Sequence, residues 1–211
     1  MANIDFFHLI IPGSLTSFCP RLIKRFFDIL LSSTLLVLFS PLILILWLLS
    51  SIDTGVNGLF SQIRIGQYGN QFSIFKIRTM LSSDMISSIT VLGDSRITKL
   101  GSILRRLKLD ELPQLYNIFI GDMSFVGPRP DVPGFADCLR GRDRLILIVK
   151  PGITGMATLK YRAEEGLLAD QDDPESYNKS VVWPDKVRIN LEYITNWSLM
   201  LDIRIILRTI L

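Results

Sequence analysis

Residues 29–52 read ILLSSTLLVLFSPLILILWLLSSI, an uncharged run of 24 residues bounded by Asp28 and Asp53. A bilayer core takes about 20 apolar residues to cross, so the run is long enough to span one. Three readings compete: a cleaved signal peptide, a spanning helix, or a helix that enters and leaves by the same face. The first is the weakest, because the run is too long, starts late and lacks a small-residue cleavage site. The other two divide on Ser40 and Pro41 at the centre. Pro41 removes a backbone donor and its ring clashes with the carbonyl four residues back, so a bend is expected there, with Ser40 placed to satisfy a freed group. Each half is then 12 residues, about 18 Å at 1.5 Å per residue, too short for a hydrocarbon core of about 30 Å.

Charges outside the run point the same way. Arg21, Lys24 and Arg25 precede it and Arg64, Lys76 and Arg78 follow it, so basic residues hold both ends toward the cytoplasmic side. An ordinary proline-kinked spanning helix remains the competing reading. The whole chain has 211 residues, 48% hydrophobic, with a formal net charge of +3, and its mean hydropathy of +0.36 is high for a soluble protein. Cys19 and Cys138 have no metal-ligand spacing and read as unremarkable thiols in a reducing compartment. The single histidine, His8, leaves no room for histidine-dependent triads or histidine-rich zinc sites, so acid–base or nucleophilic chemistry falls to other side chains.

Past the run, FSQIRI and FSIFKIRTM flank Gly66, Gly69 and Asn70, and their alternation predicts two short strands joined as a hairpin. The second strand carries Lys76 and Arg78 two residues apart, on one face. LSSDMISSITVLGDS, residues 81–95, reads as a serine-rich loop. In TKLGSILRRLK, Leu100, Ile103, Leu104 and Leu107 follow helical spacing with basic residues largely elsewhere, a basic amphipathic helix. It suits an anionic membrane surface or packing on its neighbours. Leu112, Leu115, Tyr116 and Phe119 repeat that spacing, and Pro113 marks a new helix start.

Asp110 and Glu111 fall at the junction between these two helices. The positive end of the second helix, with Arg105, Arg106 and Lys108, is expected to keep both carboxylates ionised. An acidic first turn is also ordinary helix capping. GDMSFVGPRPDVPG, residues 121–134, shifts the weight toward function. Pro128 and Pro130 restrict the backbone around Arg129, and a rigidly presented guanidinium suits bidentate recognition of phosphate. KPGITG, residues 150–155, is a weaker signal: a turn of this kind brings backbone amides near an anion. At the C-terminus Ile203, Ile206, Leu207 and Ile210 form an amphipathic stripe with Asp202, Arg204 and Arg208 on other faces. It either packs on the core or rests on a membrane.

From about Lys24 to Leu207 the chain resembles the small monotopic phosphoglycosyl transferases, bacterial sugar transferases that begin glycoconjugate assembly on a polyprenyl phosphate. KRFFDILLS, the Ser40–Pro41 break, FKIRTM, SRITKLGSILRR, LDELPQLYNIFIGDMSFVGPRP, KPGITGMATL and DKVRINLEYI carry the likeness, in order. The resemblance implies a re-entrant first helix, residues 24–53, after an N-terminal segment 1–23. Residues 54–211 then form a catalytic domain on the cytoplasmic face of the bacterial inner membrane. The fold expected is α+β, mainly α, with interfacial amphipathic helices and the small hairpin. Larger relatives carry several spanning helices ahead of the catalytic region, and none is expected here.

The reaction so implied moves a sugar 1-phosphate from a UDP-sugar to undecaprenyl phosphate and releases UMP. Asp110 would be the nucleophile and Glu111 its partner acid, both able to bind Mg²⁺. Arg129 would grip phosphate, with Lys76, Arg105 and Lys150 in support. The expected partners are the UDP-sugar, the lipid phosphate and membrane lipids, with a homodimer left open and no nucleic acid. Two departures stand out: Lys150 occupies a position where relatives often have arginine, and residues 160–186 match one branch of the family only. A solvated loop is the plain reading of the acidic run within the latter. A membrane-attached metal-dependent phosphohydrolase and a non-catalytic assembly scaffold are the rival functions.

Overall fold

The computed structural model describes residue 15, residues 18–81 and residues 96–211. His8 and the serine-rich segment 82–95 lie outside the described residues, as does the side chain of Cys19; Cys138 is a free, exposed thiol. The apolar run becomes the centre of one long helix, α1, Phe18–Thr54, with Pro41 inside it. By length and composition it is the one helix among the described residues that is able to cross a membrane. Pro41 cannot donate to the carbonyl of Val37, four residues back. The hydroxyl of Ser40 donates to that same oxygen, at 3.0 Å. The serine therefore closes the gap that the proline opens. Val37 and Leu38 beside it are 78% and 65% exposed, so this stretch presents apolar surface outward.

Both ends of α1 are fastened to the same body. Near the start, Lys24 pairs with Asp202 at 2.5 Å, Asp28 Oδ1 accepts from the hydroxyl of Ser124 at 3.1 Å and the amide of Phe125 at 3.2 Å, and Arg25 donates to the carbonyls of Ile118 and Phe119. Near the end, Ser50 donates to the carbonyl of Arg78 at 2.6 Å and Trp47 Nε1 to Asn57 at 2.9 Å. Leu46 is buried with Ile77 and Leu104.

The hairpin is β1, Leu59–Ile65, antiparallel to β2, Gln71–Ile77. Asn117 seals the other edge of β2: its side chain accepts from the amide of Phe75 at 3.1 Å and donates to the carbonyl of Ser73 at 2.8 Å. The two predicted helices are α2, Lys99–Arg106, and α3, Gln114–Ile120. A second small sheet was not foreseen. It pairs β3, Ser124–Val126, with β4, Gly152–Thr154, in parallel. Then come α4, Met156–Lys160, α5, Glu164–Ala169, α6, Pro174–Tyr177, and α7, Trp183–Thr195. Residues 160–186 are therefore largely helical, while Asp170, Asp172 and Asp173 of the acidic run lie exposed in the bend between α5 and α6, as a solvated loop would. The last helix is α8, Leu199–Ile210.

Ile118, Met123, Val126, Tyr193 and Ile194 are the most deeply buried members of the main core, and Ile205 of α8 joins them. The C-terminal helix thus packs on the core, while Leu207 and Ile210 stay exposed. Asp202, expected on a polar face, is instead fully buried, where it accepts from Tyr193 at 2.8 Å and Trp197 at 3.1 Å as well as from Lys24. One lysine there serves two acids, since its charge also reaches Asp28. Lys24→Ala leaves a buried carboxylate without its cation and is expected to cost about 3–5 kcal/mol. A lowered Tm in one fixed detergent, partly restored by adding Asp202→Asn, checks this.

Candidate active site

The acidic pair is placed by a sharp change of direction after α2. Thr98 caps that helix, accepting from the amide of Gly101 at 2.8 Å. Gly101 itself is required by contact, because a Cβ there would meet the carbonyl oxygen of Thr79 at 2.1 Å. The helix stops at Leu107, and Lys108 takes the left-handed conformation with φ 57°. Such a backbone costs a non-glycine residue roughly 1–2 kcal/mol. Strain of this kind is held in place by surrounding structure and collects at functional sites. The chain then makes one tight turn, Leu109–Glu111, and enters α3 through Pro113, whose missing N–H is no loss there.

Glu111 and Asp110 are both largely buried, in different electrical settings. Glu111 Oε1 accepts from Arg129 Nη2 at 2.8 Å and from Lys76 Nζ at 3.1 Å. Burial works against its charge, but Arg129 and then Lys76 outweigh that and hold the carboxyl well below the usual range. Asp110 differs. Burial and the neighbouring Glu111 push its pKa up, against Lys76, Lys108 and Arg105. The expectation that both acids are favoured as anions is corrected for Asp110: desolvation exceeds the help from the nearby cations. Its Oδ1 is buried without a hydrogen-bond partner. A braced anion thus sits beside an acid with an uncommitted oxygen.

The remaining predicted residues separate. Lys76 and Arg129 meet at Glu111, whereas Arg105 lies against Met80 Sδ at 3.6 Å and reaches Asp110 through its charge. Lys150 is not brought into this cluster. Its Nζ lies against Gly121 at the far end of α3, beside Arg25. The glycines of KPGITG serve a different purpose from anion cradling. A Cβ on Gly152 would come 2.2 Å from Gly127 N, and one on Gly155 would come 2.4 Å from Gly127 O. The amide of Gly152 is spent on the carbonyl of Pro128 at 2.8 Å. The turn therefore fixes the Pro-Arg-Pro backbone that presents Arg129.

Residues not predicted from sequence as part of the site border this cluster. Arg64, on β1, donates to the carbonyl of Pro130 at 3.4 Å, and the amide of Ile65 donates to the carbonyl of Asp131 at 2.8 Å. Lys186 of α7 and Glu164 of α5 act on Asp131 by charge and pair with each other at 2.6 Å. An acid immediately after Pro-Arg-Pro was the available signal. Its cations come from distant segments, and no local pattern announced them.

Among the described residues no group of three metal-ligating side chains exists. Mg²⁺ needs only one or two carboxylates when substrate phosphates complete its shell. The uncommitted Oδ1 of Asp110 fits that role, while Glu111 Oε1 is taken by two cations.

Comparison with known proteins assigns the chain to a family. The chain belongs to the bacterial sugar transferase family, which matches residues 19–211. It is 36% identical to the UDP-N-acetylgalactosamine-undecaprenyl-phosphate N-acetylgalactosaminephosphotransferase of Aeromonas hydrophila, over 89% of this chain and 43% of that protein. It is 35% identical to the UDP-glucose:undecaprenyl-phosphate glucose-1-phosphate transferase of Escherichia coli (strain K12), over 90% of this chain and 40% of that protein. The enzyme of the same description from Caulobacter vibrioides is 34% identical over 94% of this chain and 72% of its own length. The chain thus spans less than half the length of the first two relatives.

Proposed function

We propose that this chain transfers a sugar 1-phosphate from a UDP-sugar to undecaprenyl phosphate through a covalent aspartyl intermediate, releasing UMP. The observation that carries the reading is the contrast inside the dyad: Glu111 is engaged by two cations while Asp110 Oδ1 has no partner. Asp110 attacks the sugar-bearing phosphorus, forming a new P–O bond as the bond to UMP breaks and its electron pair leaves with UMP. An oxygen of the lipid phosphate then attacks the same phosphorus and frees the carboxylate. Two displacements through one site replace a direct meeting of two bulky anions. Glu111 holds Lys76 and Arg129 at the reacting phosphate, where they offset negative charge. A magnesium ion held by Asp110 would supply further positive charge to the donor phosphates.

The membrane reading belongs with this proposal. A lipid acceptor requires a site at the membrane surface. The fastening of both ends of α1 to one body, with exposed apolar residues between, supports a helix that returns to the face it entered. With Cys19 and Cys138 replaced, single cysteines near residues 3 and 58 are expected to react only from the cytoplasmic side. Opposite-side labelling at residue 3 refutes the re-entrant helix. Pro41→Ala restores the backbone donor and is expected to invert a fraction of chains, opposed by Arg21, Lys24 and Arg25.

Incubation of the purified protein with radiolabelled UDP-sugars, Mg²⁺ and undecaprenyl phosphate tests the reaction. Lipid-linked product supports transfer. Free sugar phosphate replaces it with hydrolysis, and absence of both leaves scaffolding.

A further inference from the structure

Two polar groups beside Arg129 have no protein partner among the described residues. Arg64 Nη1 donates to Pro130 O and its Nη2 to Gln62 Oε1 at 2.7 Å, but its Nε is buried and makes no hydrogen bond. The Asp131 backbone is held by Ile65, yet its carboxyl group makes no hydrogen bond or ion pair among the described residues. Arg64 and Asp131 sense each other's charge without meeting in an ion pair. A buried donor and an acceptor thus flank the residue that grips phosphate, separated by more than a direct contact. Their surroundings are fixed: Lys186, which also acts on Asp131, bonds both oxygens of Glu164 at 2.6 Å and lies 5.5 Å above the Tyr161 ring.

A phosphate group does not suit such a pair, because it offers the carboxylate no hydrogen to accept. A hydroxyl both donates and accepts, and so satisfies Asp131 and Arg64 together. We propose that Arg64 Nε and the Asp131 carboxylate form a subsite for a carbohydrate hydroxyl of the nucleotide-sugar donor, which donates to Asp131 and accepts from Arg64. This rests on the transfer reading for the identity of the donor.

A structural role for Asp131 fits poorly. Burial pushes its carboxyl up to about 6, even with Lys186 of α7, Arg64 of β1 and Arg129 nearby, and Glu164 of α5 adds to the rise. The folded state then binds the proton more tightly than the unfolded chain. That stability is full at low pH and is lost as pH rises through about 6. At neutral pH the ionised group burdens the fold, as a group kept for ligand binding does.

Calorimetry on the full chain in detergent, carrying Asp110→Asn throughout so that no covalent adduct forms, tests this with UDP-glucose, UDP-galactose, UDP-N-acetylglucosamine, UDP-N-acetylgalactosamine, UDP and pyrophosphate. Asp131→Asn is expected to weaken the tightest UDP-sugar about 10- to 100-fold, with Tm at neutral pH unchanged or higher by about 2–4 °C. Electrostatics alone predicts the reverse for binding, since the variant removes a negative charge beside two arginines. Pyrophosphate should accordingly bind as well or better. Retained UDP affinity assigns the hydroxyl to the hexose, and parallel loss of UDP affinity assigns it to the ribose. UDP-sugar affinity within about twofold of the chain with Asp131 intact, or pyrophosphate weakened in parallel, overturns the subsite. The transfer assay reads separately: binding that depends on Asp131 without lipid product would refute transfer and keep the subsite.

Discussion

Asp110→Asn is expected to reduce lipid-linked product on the order of 10⁴-fold or more, as removal of a covalent nucleophile does elsewhere. The substitution is nearly isosteric and takes away the charge that burial and Glu111 both oppose. The fold should therefore tolerate it. The raised pKa means that the native state binds this proton more tightly than the unfolded chain. Asp110 thus contributes stability at low pH that is lost as pH rises through its folded pKa. The asparagine variant should match or exceed the wild-type Tm at neutral pH while its turnover disappears. Intact-mass measurement after exposure to UDP-sugar without acceptor is expected to show a sugar-phosphate adduct on the wild type and none on the variant. The same shift displaces the acid limb of the wild-type rate to higher pH than an ordinary carboxylate would give. Near-normal product from the variant would end the covalent assignment.

The separation of roles between Asp110 and Glu111 was only half visible in the sequence. The adjacent acids, the helix break at Pro113 and the fixed Arg129 were legible because each is a local pattern. That Lys76 serves Glu111 depends on how the hairpin docks beside the turn, and no periodicity encodes it. Burial had the same effect on Asp110, reversing an expectation built from neighbouring charges alone. Asp202 marks a similar limit. Its position in an amphipathic stripe predicted a solvent face, yet Lys24, 178 residues away in sequence, makes a buried site tolerable. The short parallel pairing of β3 with β4 was hidden for another reason: three-residue strands carry almost no alternation to read. Ser40 and Pro41, by contrast, disclosed both the missing donor and its substitute, because the bond involved spans only three residues.

Arg129→Lys gives the second large effect, and it separates geometry from charge. Arg129 uses Nη2 on Glu111 while its side chain remains 45% exposed. A guanidinium offers a planar fork of donors, so it can hold Glu111 and still present further N–H groups to a phosphate. Lysine carries the same charge on one nitrogen. Its backbone has little freedom to compensate, because Pro128 is tied to Gly152 at 2.8 Å and Pro130 to Arg64 at 3.4 Å. The ammonium must then divide itself between Glu111 and the substrate. Turnover is expected to fall on the order of 10²-fold, with slower adduct formation and little change in Tm, since net charge is conserved. Glu111→Gln provides the contrast: it leaves Lys76 and Arg129 facing each other across a neutral amide, so stability should fall together with rate. A lysine variant that keeps most of the wild-type rate would mean that positive charge alone suffices at this position, and that the rigid Pro-Arg-Pro presentation serves the fold rather than the phosphate.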